Sequence, residues 1–316
     1  MNQISPIERP LDRAALVAYA ARAIGKGSKS FSLASKLFDQ QTRERAWLLY
    51  AWCRKCDDLA DGQDLGHGMT NIDDAAAQLD YIRAQTDKAY SGQPCDERAF
   101  DCLAIVAREC NIPRRFADDV IEGFALDAAE WRPRSEDDLY QYCYHVAGAV
   151  GCMMAVVMGV DPDDAATLDR ACDLGLAFQL ANIARDISED DSVGRCYLPM
   201  DWLAQMDIAP GQHMKPHYRD ELARLAKRLA DRSEAYEASA RTGAGRLPFR
   251  ARWAVLAAAG IYGDIARKVR ARGANAWDHR TFTRKRSKFG WVMRSGWQSI
   301  NSPEETPRDG LWTRPR

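Results

Sequence analysis

Two short acidic stretches constrain this chain more than any other feature. The first is Tyr50-Ala-Trp-Cys-Arg54-Lys-Cys-Asp57-Asp58-Leu-Ala-Asp61; the second is Gln179-Leu-Ala-Asn182-Ile-Ala-Arg185-Asp186-Ile-Ser-Glu189-Asp190. Both read as helix, and each sets two aspartates four positions apart. Asp57 and Asp61 therefore share a helix face, as do Asp186 and Asp190. Tyr50 and Arg54 follow the first face, Gln179 and Asn182 the second. Like charges at this spacing repel, and aspartates near a helix C-terminus also meet the unfavourable end of its dipole. A solvated surface explains either stretch alone about as well as function does. Two copies, with matching polar companions and set among apolar residues, are better explained by a cation. Hard divalent ions such as Mg²⁺ take oxygen ligands and bridge carboxylates to substrate phosphates.

The remaining totals narrow the class. With 316 residues the chain makes one large domain or two ordinary ones, and a hydrophobic content of 46% supplies a core. A formal net charge of -1 argues against a nucleic-acid partner. Nine cysteines, scattered through helical runs, suit free thiols in a reducing compartment better than a disulfide framework. Cys53 and Cys56 lack the second pair that a zinc site needs, and Pro216 separates His213 from His217. Met1–Pro10 has no apolar core of a signal peptide. The longest apolar run, Val146–Val160, is too short to span a bilayer. The expected location is cytoplasmic.

Taken in order, a polar leader (1–12) precedes an Ala-rich helix over Arg13–Ile24. Ser28-Lys29-Ser30-Phe31-Ser32 offers phosphate ligands, but a capping serine cluster accounts for it more simply. A long helix runs from Asp39 to Gly62, then a Gly- and His-containing loop over 63–70. Helices follow at about 73–90, 97–110 and 114–130. Ser135-Glu-Asp-Asp138 reads as a capping box for an apolar helix containing Tyr142-Cys-Tyr144-His145-Val-Ala147-Gly148-Ala149-Val-Gly151-Cys152. Its small residues admit either a neighbouring helix or a flexible apolar ligand. Asp161-Pro162 is expected to start the helix of the second acidic stretch. The loop Val193-Gly194-Arg195-Cys196-Tyr197-Leu198-Pro199 brings Arg195 and Tyr197 to fold over an anion. Helices over 218–240 and 249–270, the second with Tyr262, lead to a basic run (Arg284, Lys285, Arg286, Lys288) and to Trp291, Trp297 and Trp312. That combination fits contact with a membrane surface; a disordered tail looks alike. No strand pattern is found. The expected fold is all-α, a single helical bundle over 13–290 with a central cavity, and a flexible tail over 291–316.

These motifs, in this order, resemble the head-to-head prenyl synthase family, which includes squalene, dehydrosqualene and phytoene synthases. Within it, the chain looks most like the bacterial phytoene synthases. The resemblance covers roughly residues 15–290. It rests on Ser28-Lys-Ser30-Phe31; Tyr50 through Arg54 to Asp57-Asp58-x-x-Asp61; Tyr142-Cys-Tyr-x-Val-Ala-Gly-x-Val-Gly151; Gln179-x-x-Asn182-x-x-Arg185-Asp186-x-x-x-Asp190; and Gly194-Arg-x-Tyr-Leu-Pro199. It implies an isoprenoid-synthase-type bundle whose two aspartate-rich motifs face each other across a deep cavity. It further implies that Asp57, Asp61, Asn182, Asp186 and Asp190 hold Mg²⁺ or Mn²⁺ ions bridging two substrate diphosphates. Arg54, Arg185, Arg195, Ser28, Ser30, Tyr50 and Tyr197 would bind diphosphate oxygens, with Arg280 at a more distal basic position. Phe31 and Gln179 belong to the same substrate-binding motifs. Tyr142 and Tyr262 match cavity tyrosines that orient or stabilise carbocations. One departure stands out: Glu122-Gly123-Phe-Ala-Leu-Asp127 keeps the family's Gly and Asp but lacks a basic residue found between them in many relatives.

The implied reaction joins two geranylgeranyl diphosphates head to head, through a cyclopropylcarbinyl diphosphate, to phytoene with release of diphosphate, a step of carotenoid biosynthesis. Metal ions and arginines would neutralise the leaving group, and a dry apolar pocket would shield the allylic cation from water. NADPH is not expected, because Gly243-Ala-Gly245 is only half a dinucleotide fingerprint and follows no strand. Ala34 and Ser35 stand where C15-using relatives carry a bulky aromatic, which favours C20 substrates. The rivals are a C15-coupling squalene, dehydrosqualene or hydroxysqualene synthase and a non-catalytic helical assembly factor of the same fold. The latter would be expected to drop the aspartates and their flanking Gln, Asn and Arg. The expected partners are prenyl diphosphates and, for the tail, the inner face of a membrane; partnership with downstream carotenoid enzymes is not readable in the sequence.

Overall fold

The computed structural model describes residues 12–61, 75–301 and 305–316, apart from the side chains of Lys29, Ser30 and Asp61. The leader up to residue 11 and the loop over 63–70 lie outside the described residues. Among the described residues there is no strand. α1 (Arg13–Gly27), α2 (Lys29–Ser35) and α3 (Gln40–Asp61) precede α4 (Ala75–Ser91), α5 (Arg98–Cys110) and α6 (Arg114–Ala128). α7 (Glu136–Cys143) continues through a π-turn at Tyr144–Gly148 into α8 (Ala149–Val157). Then come α9 (Ala165–Ser192), the short α10 (Met200–Gln205), α11 (Arg219–Ala244), α12 (Phe249–Arg272) and α13 (Lys285–Ile300).

Local chemistry explains where the helices begin. Ser28 caps α2 by accepting from the Phe31 amide, the simpler of its two readings. The capping box at Ser135 and Asp138 forms. α9 starts three residues after its Asp161-Pro162 signal. Asp161 is used in the preceding turn, accepting from the Asp163 amide at 2.9 Å, and Asp164 becomes the cap, accepting from both the amide and the hydroxyl of Thr167.

α9 is the axis of the bundle. It packs on α8, α11 and α12, and Leu176, Leu180, Ala181 and Ala184 along it are fully buried. Glycines set how closely its neighbours approach. A Cβ on Gly175 would stand 2.4 Å from the Ala147 carbonyl oxygen of the π-turn, and one on Gly151 2.5 Å from that of Ala171. The small residues around 147–152 serve both purposes the sequence left open. Gly148 and Gly151 receive α9, while Ala147 and Gly151 also border a cavity. The π-turn is a local insertion that helical periodicity does not foresee. Across it, Tyr142, Val146, Val150, Met154 and Met158 follow one another along the cavity wall in steps of four.

The boundary expected at residue 290 falls inside α13, which lies on α12. Trp291 seats against Gly260, where a Cβ would meet the indole at 2.2 Å, and Trp253 Nε1 donates to the Val292 carbonyl at 2.7 Å. Residues 305–316 run back to the bundle. Arg308 grips the buried Asp173 with two bonds of 2.7 and 2.8 Å, Arg314 meets Asp169 at 2.9 Å, and Trp312 packs on Tyr144. The three tryptophans grouped as one feature of the tail thus have three surroundings, and Trp297 is the one that faces solvent.

Gly175→Ala is expected to push α9 off the π-turn and to destabilise the fold by about 1–3 kcal/mol. Gly25→Ala, at a helical position with nothing within 4 Å of the added carbon, should leave the midpoint unchanged or raise it. Thermal unfolding followed by circular dichroism compares the two.

Candidate active site

α3, α8, α9 and α12 enclose a cavity of about 800 Å³, towards the upper end of small-molecule sites. Its lining on α9 runs from Thr167 to Asp190, about 35 Å at 1.5 Å per residue. The C-terminal half of α9 contributes Gln179, Asn182, Arg185, Asp186 and Asp190. The N-terminal half contributes small and apolar side chains such as Ala171, Leu174 and Gly175. Arg170 is the exception there, and its guanidinium turns away to bond Ser239 and the Thr306 carbonyl. Met154 and Met158 of the α8 side, with Ala254, Val255 and Ala258 of α12, extend the apolar wall.

Every site residue expected from the sequence whose side chain is described borders this cavity. Ser28 and Phe31 come from the start of α2, Tyr50, Arg54 and Asp57 from α3, and Tyr142 from α7. Gln179, Asn182, Arg185, Asp186 and Asp190 come from α9, Arg195 and Tyr197 from the loop after it, Tyr262 from α12, and Arg280 from beyond α12. Ser30 and Asp61 lie outside the described side chains. Gly27 lets Tyr50 reach its place, since a Cβ there would stand 2.3 Å from the Tyr50 hydroxyl. Of the two small residues read as chain-length determinants, Ala34 borders the cavity. Ser35 does not; it accepts from Trp47 Nε1 and donates to the Ser32 carbonyl.

The acidic groups are only partly neutralised by the chain itself. Arg54 donates to Asp57 at 2.5 Å and lies 3.8 Å from Asp58. Arg185 makes two bonds to its neighbour Asp186, and Arg280 reaches the same carboxylate at 3.0 Å. At Asp190, burial and then the charge of Asp186 outweigh Arg195 and push the carboxyl up to about 7. Asn182, one helical turn before Asp186, keeps a buried side-chain oxygen that has no hydrogen-bond partner among the described residues. A carboxyl pushed up by burial and a neighbouring charge, and an unmatched buried acceptor, are both signs of local positive-charge deficit. The donors are all oxygen, which fits a hard divalent cation rather than one that prefers thiol or imidazole.

Elsewhere on the wall, Tyr142 and Tyr197 both donate to Asp127, at 3.1 and 2.9 Å. Their rings stack at 4.8 Å, and Trp131 stacks on Tyr142 at 5.7 Å. Burial and then the Asp127 charge push both phenols far above their usual range, so they remain donors. Asp127 therefore belongs to the cavity wall, with a role that is not apparent from its motif alone. Its segment was visible, but its partners come from α7 and from the 193–199 loop, distant in sequence. Phe178 went unnoticed as well. It stacks on Tyr262 at 4.3 Å, yet an aromatic beside Gln179 looks like any core residue.

A family model described as squalene/phytoene synthase matches residues 24–288. A phytoene synthase of Pseudescherichia vulneris is 44% identical over 305 residues, covering 95% of this chain and 98% of its own. A 15-cis-phytoene synthase of Pantoea ananas is 43% identical over 310 residues, covering 96% and 100%. Among solved structures, a dehydrosqualene synthase in complex with a ligand superposes with a TM-score of 0.81 at 26% identity, over 91% of this chain and 97% of that one.

Asp190 gives the metal-free protein a pH signature. A carboxyl raised above its unfolded value holds its proton more tightly when folded. Its contribution to stability is therefore greatest at low pH and declines as pH rises from 3.8 towards 7. Asp190→Asn removes that decline. In chelator, the variant should match the parent near the lower value and exceed it by about 2 kcal/mol above the upper one, after solvent screening of a partly exposed group. Thermal unfolding across a pH series checks this.

Proposed function

The chain belongs to the squalene/phytoene synthase family, and from that membership we propose that it is a phytoene synthase. It is a prenyltransferase that joins two geranylgeranyl diphosphates head to head and releases diphosphate. The observation that carries this reading is one long cavity with acidic and arginine side chains along the C-terminal half of α9 and an apolar wall along the rest.

Asp57, Asp186, Asp190 and Asn182, with Asp61, would hold Mg²⁺ or Mn²⁺, which when bound supplies positive charge to the departing diphosphate. Arg54, Arg185, Arg195 and Arg280 border the same region and can exchange carboxylate partners for diphosphate oxygens. Phe31, Tyr50, Phe178 and Tyr262 offer ring faces, which attract a carbocation as they attract any cation. Tyr142 and Tyr197, fixed by Asp127, hold a rigid pair of rings and hydroxyls against the same space. The apolar wall excludes water, so the allylic cation survives until it meets the double bond of the second substrate. Loss of a proton then closes a cyclopropylcarbinyl diphosphate. A second ionisation, rearrangement and loss of a further proton give the hydrocarbon. Because both substrate and product carry long prenyl chains, the enzyme is proposed to work beside a membrane. No helix among the described residues is long and apolar enough to cross one.

Purified protein given geranylgeranyl diphosphate and Mg²⁺, without NADPH, should yield phytoene; exclusive use of farnesyl diphosphate would contradict the C20 assignment. Asp57→Asn and Asp186→Asn should each lower turnover by on the order of 10²-fold or more while the protein stays folded. Retained turnover in both would point to a different site. Ala34→Phe narrows the wall at a position 3% exposed, and should lower kcat/KM for the C20 substrate more than for the C15 one.

A further inference from the structure

Nine large hydrophobic side chains are exposed among the described residues. Five of them, Phe282, Phe289, Met293, Trp297 and Ile300, lie between 282 and 300, at 58–72% exposure. Isolated surface apolars are ordinary, but a concentration of them marks a contact surface. Four fall on α13 at spacings of four, four and three, a single stripe along the helix. The opposite face of α13 is already used. Trp291 seats on Gly260, and Ser295 and Ser299 are buried. The outer stripe therefore has no partner among the described residues.

The charges of the helix say what covers it. α13 carries Lys285, Arg286, Lys288 and Arg294 and no acidic residue, and Arg284 precedes it. Arg284, Lys285, Arg286 and Arg294 are exposed. We propose that this face docks the protein on the surface of a bilayer containing anionic lipid, with Phe289, Met293, Trp297 and Ile300 entering the headgroup–acyl boundary. A second copy of the chain meets the stripe badly, because it would set one cationic face against another with no acid between them. A protein partner fits less well too, since interface cores are depleted in lysine and in charge generally. Aromatic and aliphatic groups between lysines and arginines are instead what an anionic interface attracts.

The position of α13 gives this docking a use. α12 separates it from the cavity, presenting Trp253 and Gly260 to α13 and Ala254, Val255, Ala258 and Tyr262 to the cavity. A docked protein would hold its prenyl site two helix diameters, about 20 Å, from the lipid-facing stripe. That use rests on the phytoene synthase reading; the docking itself does not.

The test is cosedimentation of the full-length protein with vesicles of phosphatidylcholine alone and of phosphatidylcholine mixed with phosphatidylglycerol. Strong binding to the mixed vesicles, weakened by salt, is expected. Lys285→Gln with Arg286→Gln should lower partitioning about fivefold per charge removed. The triple change Phe289→Ser, Met293→Ser and Trp297→Ser should reduce it to the level seen on phosphatidylcholine. Both variants should turn over detergent-dispersed substrate as the parent does, which shows that they fold. Equal binding of parent and variants would overturn the proposal. So would absence of binding together with a dimer, measured by light scattering, that Trp297→Ser dissociates. Vesicle binding without turnover would sink the prenyl synthase reading and leave the docking surface standing.

Discussion

Asp186 and Asp190 stand one turn apart on a partly buried helix face, and their mutual repulsion governs what surrounds them. Arg185 and Arg280 both attach to Asp186, while Asp190 is left with a carboxyl that ionises only near 7. Asn182 adds an oxygen without a partner among the described residues, and Arg54 with Asp57 approaches the same cavity from α3. Such an arrangement is costly for an isolated protein. In the proposed function a divalent cation and a polyanion would share the space and make it favourable, each completing the other's charge.

α9 carries its own comparison. Asp169 and Asp173 are also four residues apart, on the same helix, and are more deeply buried, at 5% and 0% exposure. There the chain supplies the countercharge: Arg308 holds Asp173 with two bonds, and Arg314 lies against Asp169. Burial still raises Asp173, but its oxygens are committed to partners within the protein. Two acidic pairs of identical spacing thus have opposite purposes. One fastens residues 305–316 to the bundle, and the other opens onto a cavity.

That contrast marks how far the sequence could be read. The helical fold and the caps at Ser28 and Ser135 were legible, because capping and helical periodicity are local, while the convergence of five separated motifs on one cavity was implied by the family resemblance. What escaped was set by contacts between distant residues. The π-turn depends on Gly175 pressing against Ala147, and the start of α9 on which of two aspartates the preceding turn consumes. The partners of Asp127 come from elements far along the chain, and the separation of Trp291, Trp297 and Trp312 depends on where each segment lands. Ser35 was misplaced for the same reason: its hydroxyl serves Trp47 rather than the cavity. The family resemblance compensated for much of this at the site itself, where motif order replaces missing distances.

In the proposed function, acidic groups from α3 and α9 act on one shared cluster of divalent ions. Titration of Mn²⁺ into the full-length protein with inorganic diphosphate, followed by electron paramagnetic resonance, tests it most directly. Asp57→Asn and Asp186→Asn should each abolish tight Mn²⁺ binding, because either helix alone provides an incomplete site. Undiminished binding in both variants, or loss in one with full retention in the other, would contradict it.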